Sequence, residues 1–172
     1  MANAAVFLDR DGTIKAFKSE IYLDGGAYSS FGVATAYYAG SMMPTLYHIP
    51  NYRYSGRRMY TNKPPCGAMR GHGVPQPRFA FEVQLDRIAE ELGIDPIEIR
   101  RRNVLDDRRR VTCTGQRLPR PVLARTCLDR AVEMSGWGRR EEMTEAQWHD
   151  NNARCMGMIL DGRAQPTGIR RS

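Results

Sequence analysis

Alternating apolar and polar residues near the N-terminus predict a β-hairpin. Two strands are expected, at residues 4–8 and 13–23, because apolar side chains recur at alternate positions in parts of both runs. Between them, Asp11-Gly12 is a pair typical of a tight hairpin turn. A third strand is expected at residues 52–60, where tyrosines stand among arginines.

Two segments that follow the hairpin depart from simple alternation. Residues 29–43 carry no charge and mix small with aromatic side chains, which predicts a helix or irregular segment lying against other protein. Residues 61–77 hold four prolines and three glycines, so no regular helix or strand can run through them. A long ordered loop of this kind is uncommon unless it carries function.

Helical periodicity is clearest after this loop. One apolar face at three- and four-residue spacing comprises Phe81, Leu85, Ile88, Ala89 and Leu92. Gly93 is placed to end this helix, and Asp95 with Pro96 predicts the start of the next. A third helix is expected at residues 121–135, ended by Gly136. Its inward face is expected to comprise Leu123, Cys127, Leu128 and Ala131.

The composition is that of a globular domain, and the order of the predicted elements indicates an α+β fold. The 172 residues are 41% hydrophobic and 26% charged, which is typical of a globular chain rather than a disordered one. In chain order, a β-hairpin and strands precede the long loop and two to three helices. The sequence has no apolar run of membrane-spanning length and no signal-peptide pattern, so we expect a cytoplasmic protein without a membrane partner.

Charge and cysteine usage narrow the possible partners. The net charge is +7, and many arginines lie beyond Arg100, so a basic nucleic-acid-binding module is one alternative. These arginines lack interleaved aromatic residues, which favours a piece of a larger protein and no nucleic-acid partner. The four cysteines form no C-x-x-C pair, and the three histidines fall at no metal-ligand spacing. We therefore expect no zinc or iron–sulfur site within the chain.

A second alternative rests on residues 5–14, A-V-F-L-D-R-D-G-T-I. This stretch resembles the opening motif of haloacid-dehalogenase-type phosphatases, with Asp9 as nucleophile and Asp11 as general acid. Such enzymes also need a downstream serine or threonine, a lysine and an acid pair, each at the end of an apolar strand. The acid pair Asp106-Asp107 is flanked by arginines instead. The hairpin turn is therefore the favoured interpretation of this motif.

The proline- and glycine-rich loop carries a more extensive resemblance. N-K-P-P-C-G-A-M-R-G-H-G at residues 62–73, with the helical segment after it, resembles the molybdopterin-binding large subunit of the xanthine dehydrogenase/aldehyde oxidase family. The upstream motifs D-G-T-I, D-G-G-A-Y-S-S-F-G and Y-H-I-P-N-Y fit the same family in the same order. The resemblance extends over residues 9–138. Within the family, the nearest likeness is to the large subunit of 4-hydroxybenzoyl-CoA reductase.

The resemblance implies an activity and a set of partners. It implies an oxidoreductase that acts on a small molecule, such as an aromatic acyl-CoA or an aldehyde, through a molybdenum–molybdopterin cofactor. The cytosine dinucleotide form of that cofactor is expected. Iron–sulfur clusters and FAD would lie on partner subunits or domains of the same enzyme.

The resemblance also implies roles for individual residues. Cofactor contacts are expected from Ala68, Met69, Arg70, Gly71 and Gln76. Glycines let the backbone approach a bulky cofactor, and the Arg70 guanidinium suits an anionic centre. Tyr38 and His72 are expected to contact substrate. The alternatives are that Tyr38 is a core tyrosine and that His72 is an incidental loop histidine. Tyr38 stands where purine-oxidising relatives carry an arginine, so a purine substrate is not expected. No side chain is expected to ligate the metal directly.

The chain also departs from the family pattern. Family subunits are several-fold longer, and two family motifs are missing: the upstream G-G-x-F-G cofactor loop and the downstream G-x-G-E motif with its general-base glutamate. We therefore expect a partial molybdopterin-binding domain at residues 1–138, without a catalytic residue of its own. Residues 139–172 are expected to be a truncated or out-of-frame tail. The chain by itself is expected to be inactive.

Overall fold

The computed structural model describes residues 2–142, 144, 146 and 147. The chain divides into two compact units, Met1–Arg125 and Thr126–Ser172, which are described separately below. The expected boundary between residues 138 and 139 stays a prediction. Among the described helices, none combines the length and apolar character needed to cross a membrane.

The first unit is built on a three-stranded sheet. Strands β1 (Ala2–Leu8), β2 (Ile14–Asp24) and β3 (Asn51–Met59) lie in the order β1-β2-β3, with β1 antiparallel and β3 parallel to β2. The turn between β1 and β2 closes through a 2.9 Å hydrogen bond from the Asp9 N–H to the Thr13 carbonyl. Gly12 in that turn has φ of +84°, a value that suits glycine. The predicted hairpin and third strand are confirmed.

The core lies where helix α2 (Pro75–Leu92) packs on β2. Phe81 is fully buried, with its ring centroid 4.8 Å from Phe17 on β2 and 5.3 Å from Tyr47. Burying a phenylalanine side chain stabilises the fold by roughly 1.5–3 kcal/mol. The predicted face is confirmed for its first four members, whereas Leu92 at the helix end is 39% exposed. Gly93 ends the helix in the left-handed conformation, as predicted.

Helix α3 (Pro96–Asn103) starts as predicted and ends at a buried asparagine. The Asp95 carboxylate accepts hydrogen bonds from the N–H groups of Ile97 and Glu98, at 2.7 and 3.3 Å. Asn103 is 1% exposed, and its amide joins α3 to the hairpin. Its Nδ2 donates to the carbonyls of Gly12 and Ile99, and its Oδ1 accepts from the Ile14 N–H, all at 2.8 Å.

Helix α1 (Gly32–Ser41) connects β2 to β3. A helix in this uncharged segment is confirmed, but most of its large side chains face away from the core. Phe31, Val33 and Tyr37 are 61%, 66% and 67% exposed, and the buried positions of α1 are only Gly32, Ala39 and Gly40. An apolar composition therefore marks this helix without placing it in the core of the first unit.

Helix α4 (Ala124–Ser135) begins three residues later than expected, and a 3₁₀ helix follows at Trp137–Glu142. The predicted inward face of α4 is wrong for the described residues, because no residue of α4 is buried and Leu123 lies before its first turn. Gly136 has φ of +69° and ends the helix as predicted. Most of the expected tail at 139–172, including Cys155, lies outside the described residues.

Candidate functional site

The acidic hairpin turn is the first site to assess. Asp9 forms a 2.8 Å ion pair with Lys15, and both side chains are about half exposed. The Asp11 carboxylate accepts hydrogen bonds from the Thr13 N–H and hydroxyl, at 2.9 and 3.0 Å, which lower the pKa of Asp11. The two aspartates thus stabilise a turn. Because Asp9 pairs with Lys15 and Asp11 accepts from Thr13, the turn gives the phosphatase alternative no support.

The arginines beyond residue 100 raised the nucleic-acid alternative, and several of them are engaged in ion pairs. The Arg100 guanidinium is mostly buried and donates to Glu82 at 2.9 Å and Asp86 at 2.6 Å. Two further pairs are Arg102 with Glu98 at 2.9 Å and Arg109 with Asp106 at 3.7 Å. Arginines engaged in this way brace helices and turns, and the nucleic-acid alternative has no support either.

The base of the predicted functional loop is fixed by Asp24. Its carboxylate accepts hydrogen bonds from the Lys63 ammonium at 2.5 Å, the Thr61 hydroxyl at 2.6 Å and the Gly26 N–H at 3.2 Å. These contacts, led by Lys63, lower the pKa of Asp24 to about 2. A Cβ on Gly26 would lie 2.2 Å from the Pro64 carbonyl oxygen, so glycine is required where the two segments meet.

The loop itself turns sharply between residues 67 and 74. Gly71, His72 and Gly73 have successive φ values of +94°, +47° and +83°. A Cβ on Gly73 would lie 2.5 Å from the Thr35 side chain, so the loop is pressed against α1. Within the described residues, the N–H groups of residues 68–71 donate no hydrogen bond. N–H groups without an internal partner are suited to bind an anionic ligand.

A cleft of about 420 Å³ lies between this loop, α1 and the start of α2. Three of the five residues predicted to contact a cofactor line it: Met69, Arg70 and Gln76. Ala68 and Gly71 belong to the same loop without lining the cleft. The structure therefore brings most of the predicted set to one place, while its role in cofactor binding stays a prediction.

The two residues predicted to contact substrate are also neighbours. The His72 ring lies edge-on to the rings of Tyr38 and Phe31, with centroids 5.4 Å apart in both cases. The His72 Nδ1 is buried and has no hydrogen-bond partner among the described residues. Because a buried polar atom without a partner costs free energy, this atom is suited to pair with a bound group. Sequence reasoning did not identify Phe31 as the third member of this aromatic cluster.

Arg58 on β3 is a second residue that sequence reasoning missed. It lines the cleft, and its Nη2 donates to the carbonyls of Gly25 and Tyr28, at 2.6 and 3.0 Å. The sequence held only an indirect indication of this role. A glycine can mark a position where another group approaches closely, but it does not identify the side chain that approaches.

The chemistry of the cleft suits an anionic cofactor. Its lining residues include Arg58, Arg70 and Gln76. Asp24 is the one carboxylate among the lining residues, and Lys63 neutralises it at 2.5 Å. Guanidinium and amide donors pair with phosphate and metal-bound oxygen, so these residues fit one edge of such a group.

Comparisons with known sequences point to one family. Residues 1–104 match the model of the molybdopterin cofactor-binding domain. The xanthine dehydrogenase molybdenum-binding subunit of Escherichia coli O157:H7 is 39% identical over 147 residues, which cover 86% of this chain and 19% of that protein. The nicotinate dehydrogenase large molybdopterin subunit of Eubacterium barkeri is 38% identical over 132 residues, covering 74% of this chain and 31% of that protein. The chain thus spans about a fifth to a third of the length of these relatives.

Solved structures share the fold. The aldehyde oxidoreductase from Desulfovibrio gigas superposes with a TM-score of 0.73 at 32% identity, over 84% of this chain and 16% of that one. Quinoline 2-oxidoreductase from Pseudomonas putida 86 gives a TM-score of 0.70 at 28% identity, over 84% of this chain and 19% of that one. The described elements therefore form part of a larger domain of the same architecture. The narrower likeness to 4-hydroxybenzoyl-CoA reductase stays a prediction.

Proposed function

This chain belongs to the molybdopterin cofactor-binding domain family, and on that premise we propose that it forms part of the cofactor and substrate pocket of a molybdenum-dependent oxidoreductase. One observation carries the proposal. A single cleft gathers Met69, Arg70 and Gln76 beside the loop that also bears His72. Because the chain spans only 19% of its E. coli relative, the remaining walls of the pocket belong to other parts of a complete enzyme.

Two side chains and the loop backbone would hold the cofactor on this chain. Arg70 would neutralise an anionic edge of the molybdenum–molybdopterin group, in its cytosine dinucleotide form, and Gln76 would donate or accept a hydrogen bond. The free N–H groups at residues 68–71 would face oxygen atoms of the same group. When bound, this cofactor supplies the electron transfer at the substrate carbon. The residues of this chain would bind the cofactor and orient it.

The aromatic cluster formed by Phe31, Tyr38 and His72 would receive the substrate. Its edge-on ring pairs leave apolar surface for an aromatic ring, and the buried His72 Nδ1 can pair with a polar substituent. We infer an aromatic acyl thioester or an aldehyde as substrate. The name of the Megalodesulfovibrio gigas relative, aldehyde oxidoreductase, at 42% identity over 94 residues, agrees with the second option.

The remaining parts of the reaction lie elsewhere in the proposed enzyme. The general-base glutamate expected from the family pattern would come from a complete large subunit. Iron–sulfur clusters and FAD on partner subunits or domains would carry electrons to and from the pocket. A cytoplasmic location for the assembly stays a prediction.

The cofactor part of the proposal is tested in a chimeric subunit, in which this chain replaces the 147 matching residues of the E. coli relative. Arg70→Ala is expected to weaken cofactor binding roughly ten- to a hundredfold, because a charge-assisted contact contributes about 1.5–3 kcal/mol. The measurement is molybdenum per protein by elemental analysis. Arg53→Ala is the matched control, because Arg53 is an exposed arginine on β3 outside the cleft.

The substrate part is tested in the same chimeric subunit with His72→Ala. We expect molybdenum content to stay near that of the unmutated chimera, while kcat/KM for aromatic thioester and aldehyde substrates changes. Steady-state kinetics with both substrate types provide the readout. If Arg70→Ala and His72→Ala both retain the metal content and kinetics of the unmutated chimera, the loop is not at the pocket and the proposal fails.

A further inference from the structure

Arg58 occupies a slot between two glycines. A Cβ on Gly25 would lie 2.5 Å from the Arg58 Cζ, and a Cβ on Gly32 would lie 2.2 Å from its Nε. Side-chain carbon atoms are essentially never that close, so any larger residue at either position would displace the guanidinium. Gly25 follows β2 and Gly32 starts α1. The two segments that flank the cleft therefore leave room for this one side chain.

The guanidinium in this slot is only partly engaged. Arg58 donates two hydrogen bonds, both from Nη2, to the carbonyls of Gly25 and Tyr28 at 2.6 and 3.0 Å. Its Cζ also lies 5.7 Å from the ring centroid of Tyr60. Within the described part of the chain, Nε and Nη1 donate no hydrogen bond to a protein atom. Two carbonyls thus fix the orientation of the group and leave its remaining donors available.

The charge around Arg58 is not cancelled within the cleft. Asp24, the one carboxylate in the lining, is already held by Lys63, Thr61 and Gly26. The first turn of α1 contains no acidic residue, and Arg70 adds a second positive charge to the same lining. Positive charge held in a concave site attracts an anion and raises its local concentration.

We propose that Arg58 is the anchor of an oxyanion subsite in this cleft, which binds a phosphate or carboxylate group of a bound molecule. The planar guanidinium presents donors in the geometry that such oxygen atoms accept. Which molecule carries the oxyanion rests on the proposed function; the two sources to be compared are a phosphate of the cofactor and a carboxylate on a substrate. The existence of the subsite does not depend on that assignment.

The test uses the full 172-residue chain and two probes, inorganic phosphate and benzoate, titrated at constant ionic strength. Binding is followed by NMR through the backbone amide signals of Gly67 and Gly73, which both line the cleft. We expect saturable shifts with at least one probe. Preference for phosphate identifies a phosphoryl source, and preference for benzoate identifies a carboxylate source.

Three variants separate a specific subsite from general positive charge. Arg58→Met is expected to weaken probe binding about tenfold or more, the loss typical of a charge-assisted contact. Gly32→Ala keeps every charge but displaces the guanidinium, so we expect a similar loss in a folded protein even if Arg58→Met does not fold. Arg53→Met removes one charge from β3 outside the cleft and is expected to change affinity by less than about twofold, because exposed charges are screened.

Three results overturn the inference: no saturable binding of either probe, unchanged affinity in both Arg58→Met and Gly32→Ala, or equal losses in all three variants. The last result would show that net charge alone attracts the anion and that Arg58 only braces the backbone at Gly25 and Tyr28. These failures are distinct from failure of the proposed function, which depends on molybdenum content in the Arg70→Ala chimera.

Discussion

Two regions of the first unit differ in the exposure of their large apolar side chains and in their backbone conformation. The core region, formed by the hairpin with α2 and α3, buries Phe17, Phe81, Leu85 and Ile99 at 2% exposure or less. The loop region, formed by α1 with residues 24–31 and 60–74, exposes large apolar side chains instead. Among the described residues, the two non-glycine residues with positive φ, Ser30 and His72, lie in the loop region.

Buried polar atoms show a smaller contrast between the two regions. The loop region holds three such atoms without a hydrogen-bond partner among the described residues: Thr35 Oγ1, Ser41 Oγ and His72 Nδ1. The core region has Arg78 Nη1 and Gln84 Oε1 in that state, but its central amide, Asn103, uses both donors and its acceptor. Strained backbone and unpaired polar atoms concentrate at ligand sites, whereas satisfied groups stabilise the fold. The positive φ values and the exposed apolar side chains indicate that the loop region is a binding surface, whereas the packed core region is a scaffold.

The largest expected effect comes from breaking the scaffold at its centre. Phe81→Ala removes a fully buried ring that contacts Phe17 and Tyr47, and should lower the free energy of unfolding by about 3–5 kcal/mol. Phe79→Ala on the same helix is the matched control, because Phe79 is 72% exposed and its loss should cost little. Urea denaturation of both variants provides the measurement. Equal losses in the two variants would remove the distinction between core and surface on α2.

A smaller loss is expected when the link between α3 and the hairpin is removed. Asn103→Ala leaves the Ile14 N–H and the Gly12 carbonyl without their partner, which should lower the free energy of unfolding by about 2–4 kcal/mol. Asn51→Ala also removes a hydrogen bond to the backbone, at 2.9 Å, but from an exposed residue. We expect that control to lose less than about 1 kcal/mol in the same denaturation assay. A control that loses as much as Asn103→Ala would contradict the importance of burial.

High pH should weaken the scaffold through Tyr47. Burial, followed by the charge of Glu82, raises the pKa of Tyr47, whose hydroxyl donates to Glu82 at 2.9 Å. In the unfolded chain tyrosine ionises near pH 10, so the stability contributed by the protonated form is present below that pH and lost above it. Unfolding free energy should fall by roughly 1.4 kcal/mol per pH unit for each tyrosine that stays protonated. The measurement is denaturation between pH 8 and about 11.

Tyr47→Phe provides the control for this pH dependence. Burial also raises the pKa of Tyr52 and Tyr54, so the variant should retain part of the alkaline loss and show a shallower slope than the wild type. An identical slope in the variant would mean that Tyr47 ionises as easily in the folded protein as in the unfolded one.

The smallest effect is expected at the hairpin turn that resembled a phosphatase motif. Asp9→Asn removes an exposed ion pair with Lys15 and should change the free energy of unfolding by no more than about 0.5 kcal/mol. In the chimeric subunit the same change should leave molybdenum content and turnover unaltered. Lost turnover in a folded, metal-loaded Asp9→Asn chimera would return a catalytic role for Asp9 to consideration.

Elements with local signals were predictable from the sequence. The Asp11-Gly12 turn, the Asp95-Pro96 helix start and the Gly93 helix end each depend on a few consecutive residues, and all three are found as expected. The family resemblance also identified the loop as a candidate site, because the loop motif is a continuous stretch of the sequence.

Features that depend on distant residues were not predictable. The amide of Asn103 acts on Gly12, 91 positions away, and Arg58 fills a slot between glycines that precede it by more than twenty residues. Composition alone could not show that α1 points its aromatic residues outward, because that depends on which surfaces the sheet leaves uncovered. The inward face predicted for α4 failed for the same reason, since periodicity identifies a face without showing that anything covers it.

The central claim, that the loop region is part of a molybdenum pocket, has one direct test. Crystals of the chimeric subunit, loaded with cofactor, would be measured at the molybdenum absorption edge to locate the metal by its anomalous scattering. We expect an anomalous peak beside residues 68–73, on the side where Arg70 and Gln76 line the cleft. A peak remote from this loop, with the loop folded as described, would show that the loop region is not part of the molybdenum pocket.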